Sequence, residues 1–173
     1  DVAEMDEAMI ERWNAVVGLR DQVWHLGDFA YRCSPNRVRE IFGSLRGGTI
    51  HLVRGNHDRK TTLSLPWTSV QQYAEIVVGG RLVILFHYGL RTWNRAQHGS
   101  LSLYGHSHGG LPRTCASCDI GVDVWDFRPV SLDEIVSSLS SDGPGVPLYA
   151  PPTPDLPEPP LEPADDLDAA AQP

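Results

Sequence analysis

Gly55-Asn56-His57-Asp58 follows the apolar run Thr49-Ile50-His51-Leu52-Val53. That run has the length and the residue types of a buried strand. The four residues after it set a glycine, a carboxamide, an imidazole and a carboxylate at the strand's end, where α/β sheets present their ligands. A plain turn would need only Asn-Gly or Asp-Gly. A solvated polar loop is the bland alternative, so the weight of the stretch depends on what the other strand ends carry.

Upstream, residues 22–26 read as a short strand ending in Gly27-Asp28. Ser34-Pro35 then opens a helix, with serine as N-cap and proline at the first helical position. Val38, Ile41, Phe42 and Leu45 give that helix a buried face. Before the first strand, Met5, Met9, Trp13 and Val16 recur at helical spacing and predict an amphipathic helix with a core-facing stripe, capped near Gly18. Downstream, residues 59–72 fit no single period. Tyr73–Val78 and Arg81–Phe86 form a hairpin across Gly79-Gly80, and the second strand runs into His87-Tyr88. Leu101–Tyr104 is another strand, ending in Gly105-His106-Ser107-His108. Ile120, Val122 and Val124 alternate with Asp119, Gly121 and Asp123, which predicts a half-buried strand. Ser131-Leu132-Asp133-Glu134 is a capping box that starts a last helix. Helices and strands alternate early and hairpins dominate late, so the expected class is α/β, with mixed sheets and helices outside.

The 173 residues fit one domain, residues 1–141, followed by a tail, residues 142–173. The tail holds ten of the fourteen prolines, seven acids and no Lys or Arg, and is expected to be disordered. It carries −7 of the net charge of −8, which leaves the body close to neutral. Nothing in such a body marks a footprint for long nucleic acids. No apolar run is long enough to cross a bilayer, and the expected location is cytoplasmic. Cys33, Cys115 and Cys118 make no disulfide framework, and the lone Cys115-Ala116-Ser117-Cys118 lacks the second pair a zinc ribbon needs.

Four strand ends therefore carry candidate metal ligands: Asp28, then Asn56 with His57, then His87, then His106 with His108. One alone would be a solvated loop; four at successive strand ends point to a shared centre. Carboxylate, carboxamide oxygen and imidazole together suit borderline divalent ions such as Mn²⁺, Fe²⁺ or Zn²⁺. Two such ions about 3.5–4 Å apart can activate water and clamp the oxygens of an in-line displacement at phosphorus.

The order G-D, G-N-H-D, a strand-terminal His and G-H-S-H resembles the calcineurin-like metallophosphoesterase superfamily, over about residues 22–108. The resemblance implies a four-layer α/β/β/α sandwich of two mixed sheets flanked by helices. It also implies a centre of two divalent metals, manganese foremost. By matching position, Asp28 would bridge both ions, Asn56, His87 and His106 would complete one site, and His108 would serve the other. His57 would act on substrate rather than bind metal. Arg32 would clamp phosphate, and Asp58 is a candidate to orient His57, with a surface role as its alternative.

Two departures stand out. The superfamily opens with a strand ending in D-x-H, and none precedes Gly27 here. The first residue is Asp1 rather than Met, so the expectation is a natural protein that extends upstream, or a first metal site that has decayed. The second motif also often continues as G-D-x-x-D-R, whereas this chain has Tyr31 before Arg32. The functional expectation is a metal-dependent phosphoester hydrolase acting on a small phosphorylated substrate, nucleotides included. The alternative is a binding scaffold of the same fold with an incomplete metal site.

Overall fold

The computed structural model describes residues 2–141. The Pro-rich stretch 142–173, expected to be disordered, lies outside the described residues. Helices α1 (Val2–Val16), α2 (Pro35–Ser44), α3 (Lys60–Leu63) and α4 (Leu132–Ser141) surround two sheets. The first sheet has the order β1-β2-β3, from β1 (Gln22–His25), β2 (Thr49–Val53) and β3 (Ser69–Gln71). The second has the order β4-β5-β6-β7, from β4 (Tyr73–Val78), β5 (Arg81–Phe86), β6 (Leu101–Tyr104) and β7 (Ser117–Asp119).

Two sheets flanked by helices are as expected, with one difference. The second sheet is mixed, with β4 antiparallel to β5 and the remaining pairs parallel. The first is parallel in both of its pairings. Helical crossovers join its strands, and a crossover returns the chain in the same direction.

Two apolar clusters hold the layers. Val38 and Phe42 of α2 pack with Ile50, Leu65, Trp13 and Trp67 on one face of the first sheet. Leu26 and Val53 meet Val83, Leu85, Leu101 and Leu103 of the second sheet in the larger cluster, which Ile135 and Leu139 of α4 also join. His87 follows β5 and Gly105 follows β6, so parallel pairing of β5 with β6 brings both loops to one end of the sheet. That end lies against Leu26, whose carbonyl accepts from His87.

The local punctuation follows the sequence. Ser34 accepts from the Arg37 N–H as the N-cap of α2. The Gly79-Gly80 turn closes the β4–β5 hairpin in the register Val78 opposite Arg81. Ser131 and Glu134 exchange backbone and side-chain bonds as a capping box at α4.

Two expectations need correction. The α1 stripe is core only in part: Trp13 packs on the α2 cluster, Met9 is half-buried, and Met5 is 50 % exposed. Instead of burying that whole face, α1 is tied to the end of α2 by Trp13 and Asn14, which donate to the carbonyls of Arg46 and Ser44. A cavity of about 660 Å³ lies along Met9, Ile10 and Trp13. The alternation over residues 119–124 is also not a strand. β7 stops at Asp119 and a 3₁₀ turn spans Val122–Val124. The cause is the Asp119 carboxylate, which accepts from the Gly121 N–H and bends the chain.

The Arg128 guanidinium, with the Ser131 N–H and hydroxyl, holds the Glu134 carboxyl down to about 2 from its ordinary 4.5. A lowered carboxyl stabilises the fold above its ordinary value and loses that contribution as pH falls through the folded value. Glu134→Gln should therefore melt below wild type at pH 7, with the gap closing as pH drops from 4.5 towards 2. Thermal melts by circular dichroism across that range check it. A gap that stays constant would mean the ionised carboxylate adds nothing to the cap.

Candidate metal centre

The loop after β1 and the loop after β2 lie against each other with no space between them. A Cβ at Gly27, whose φ is +97°, would come within 2.5 Å of the Gly55 nitrogen and 2.6 Å of His87 Nδ1. A Cβ at Gly55 would fall on the Asp28 carboxylate and 2.7 Å from His87 Cε1. Only glycine lets these backbones approach so closely.

Asp58 locks the two loops together. It is 1 % exposed, and its carboxylate accepts from the backbone N–H groups of Asp28, Phe29 and Gly55 at 2.9, 3.0 and 2.8 Å. The Asp28 Oδ1 in turn accepts from the His57 N–H at 2.8 Å. The Asp58 carboxylate is thus committed to backbone rather than to the His57 ring or to solvent.

Asp28, His87 and His106 each offer a ligand atom, and these atoms lie within 4.8 Å of one another. His87 Nε2 is 3.3 Å from Asp28 Oδ2 and 3.0 Å from Asn56 Oδ1. Its Nδ1 is 2.6 Å from the Leu26 carbonyl oxygen, which can only accept. In the neutral ring the proton therefore sits on Nδ1, and Nε2 turns a lone pair towards two oxygens that are themselves acceptors. Three lone pairs facing one point suit a cation, so the donor set fits a divalent metal. The ring of Tyr88 packs edge-on against both His87 and His106, at 4.8 and 4.7 Å, and fixes their orientation.

The backbone around these groups is strained. Asp28, His106 and His108 all have left-handed φ, at 57°, 63° and 47°. Non-glycine residues rarely take that conformation unless their surroundings impose it, and such residues gather at functional sites.

The structure thus brings Asp28, Asn56, His87 and His106 together, with His57 alongside. His108 stands apart. It is exposed, and its Nδ1 meets the Asp123 carboxylate, whose hydrogen bond raises the imidazole's pKa. It does line the same 660 Å³ cavity as Asp28, His87 and His106. Arg32 lines a separate cavity together with His57, with its guanidinium 5.1 Å from the Tyr31 ring centre. His25 is half-buried against Phe29 and Trp67, and burial pushes its pKa down.

Two carboxylates of the alternating stretch 119–124 prove structural. Asp119 is buried and accepts from the Ser107 hydroxyl and the Gly109 N–H, so it shapes the loop that carries His106 and His108. Asp123 holds His108. The signal that could have found Asp119 is the Asp-x-Gly spacing to Gly121, which favours a side-chain-to-backbone turn.

Comparisons with known proteins bear on the family and the fold. A family model described as the calcineurin-like phosphoesterase superfamily domain matches residues 3–119. The uncharacterized protein MJ1445 of Methanocaldococcus jannaschii is 28 % identical over 147 residues, covering 80 % of this chain and 77 % of its own. The gene 66 protein of Mycobacterium phage L5 is 28 % identical over 168 residues, covering 78 % and 81 %. A crystal structure of AQ665 from Aquifex aeolicus, a protein of unknown function, shares the fold. It aligns with a TM-score of 0.61 at 22 % identity, over 77 % of this chain and 84 % of that one. No described helix is long and apolar enough to cross a membrane. With the family model spanning both loops that meet at Asp28 and the strands that carry His87 and His106, the chain belongs to the calcineurin-like phosphoesterase superfamily.

Proposed function

We propose that the chain is a metal-dependent hydrolase of phosphoesters that acts on a small phosphorylated substrate. The observation that carries the reading is the set of lone pairs from Asp28, Asn56, His87 and His106 beside the half-buried His57. These four residues would hold a divalent ion, manganese foremost, with iron(II) or zinc also suited to the donors. When bound, the metal supplies Lewis acidity that activates water and polarises phosphoryl oxygens. Asp58 holds the two loops in register, so Asp28 and His57 keep their spacing as substrate enters. His57 donates a hydrogen bond or a proton to the departing oxygen and stabilises the charge that develops there. Arg32 offers a fork of N–H donors to phosphate oxygens.

A scaffold without catalysis is the second reading. It is favoured by the engagement of His108 with Asp123. Hydrolysis of bis(p-nitrophenyl) phosphate and of p-nitrophenyl phosphate separates the two readings, assayed with Mn²⁺ and then with chelator. The hydrolase reading expects nitrophenolate release that chelator stops and Mn²⁺ restores. Tight Mn²⁺ binding with no release from either ester would leave the scaffold reading in possession.

A further inference from the structure

A second cavity, of about 400 Å³, opens on the side of His57 that faces Tyr31. Tyr31, Arg32, His57, Arg59, Thr61 and Thr62 line it, and no carboxylate does. Among the described residues neither Arg32 nor Arg59 has an ion pair with an acid, whereas Arg12 of α1, Arg37 of α2 and Arg128 before α4 each do. Two guanidiniums at one concave place, without counter-charge, are a fork-shaped anion receptor. Arg32 is also held at a left-handed φ of 51°, a strain typical of ligand clamps. Tyr31 is 61 % exposed, with its ring edge-to-face with His57 at 4.8 Å. The Arg32 guanidinium lies 5.1 Å from the centre of this ring, and an exposed aromatic beside two arginines suits the stacking of a flat ring.

His57 stands between this cavity and the Asp28–His87–His106 cluster. Its backbone N–H is tied to Asp28, and its ring lines the cavity. A phosphoester whose phosphorus sits at the cluster would therefore push its departing half past His57 into the pocket. We propose that this pocket binds the leaving group, and that the leaving group carries a phosphate of its own attached to a flat heterocycle. The substrate would then be a phosphodiester or phosphoanhydride of a nucleotide. Arg32 and Arg59 bind the second phosphate, and Tyr31 faces the ring. This assignment rests on the phosphoesterase reading for its role, but the pocket can be tested without metal.

The test is calorimetric titration of the 173-residue chain, stripped with chelator so that phosphate cannot bind through a metal, using AMP and ribose 5-phosphate as probes. AMP should bind. Arg59→Ala should weaken it by at least about tenfold, the loss expected for one charge-assisted contact. Arg59→Gln should do the same, and Arg81→Ala, an equal loss of charge far along the chain, should not. Tyr31→Ala should weaken AMP several-fold while leaving ribose 5-phosphate unchanged. Failure of either probe to bind wild type, or equal losses from Arg59→Ala and Arg81→Ala, would overturn the pocket. Competitive inhibition of bis(p-nitrophenyl) phosphate hydrolysis by AMP would support the leaving-group role, and non-competitive inhibition would overturn it. Hydrolysis without AMP binding would sink the pocket alone. AMP binding without hydrolysis would overturn the phosphoesterase reading and the leaving-group role with it, leaving an anion site.

Discussion

Asp58→Ala is expected to destabilise the domain by roughly 3–6 kcal/mol and to empty the metal centre at the same time. Three N–H groups depend on that one carboxylate, that of Gly55 buried and those of Asp28 and Phe29 part-buried. Each orphaned donor costs about 1–3 kcal/mol, and the two part-buried ones recover some of that from water, which keeps the total below the full sum. For a chain of this size that is a fall in melting temperature of about 10–20 °C. The metal is lost because Asp28 and Gly55 are the surfaces on which the two loops meet. Asp58→Asn should fall between, as one amide oxygen can still accept but the NH₂ faces donors. Thermal melts and metal content on both variants check this. If Asp58 acted instead on the His57 ring, Asp58→Ala would lower turnover with the melting temperature nearly unchanged.

His57→Ala should leave stability and metal content alone and lower the rate of ester hydrolysis by about two to four orders of magnitude. That is the usual loss for a positioned proton donor or charge stabiliser. Its side chain is half-buried against Tyr31, and the contact His57 makes with Asp28 runs through its backbone N–H, which alanine keeps. Steady-state kinetics with elemental analysis on the same preparation gives both numbers. Metal lost together with activity would make His57 a ligand.

These two residues mark how far the sequence could be read. The strand ends were legible because each ligand closes an apolar run, and a run of that kind fixes both the element and the end at which its last side chain emerges. Asp28, Asn56, His87 and His106 converge for that reason. The Gly79-Gly80 hairpin and the caps at Ser34 and Ser131 were legible because their chemistry is local. Asp58 was not, because a carboxylate bonded to backbone N–H groups about thirty residues away leaves no trace in spacing. Asp119 was misread for a related reason: alternation shows which residues share a face, but not that one of them bends the chain through its own carboxylate. The α1 stripe shows the same limit. A helical period identifies an apolar face and says nothing of what covers it, and here Met9 and Trp13 border a cavity. Tyr88 carries no motif, since its role is to pack two imidazoles that meet only in the fold.

The ligand count makes the sharpest demand. Among the described residues one cation position has Asp28, Asn56, His87 and His106; a second would have only Asp28 and His108, whose ring is already engaged by Asp123. Two protein ligands hold a divalent ion poorly against water. The direct measurement is elemental analysis of the 173-residue chain after loading with Mn²⁺ and desalting, alongside Asp28→Asn and His87→Ala variants checked for folding by circular dichroism. The account predicts about one ion per wild-type chain and far less in either folded variant. A wild-type chain that retains no metal, or a His87→Ala variant that retains it in full, would contradict it.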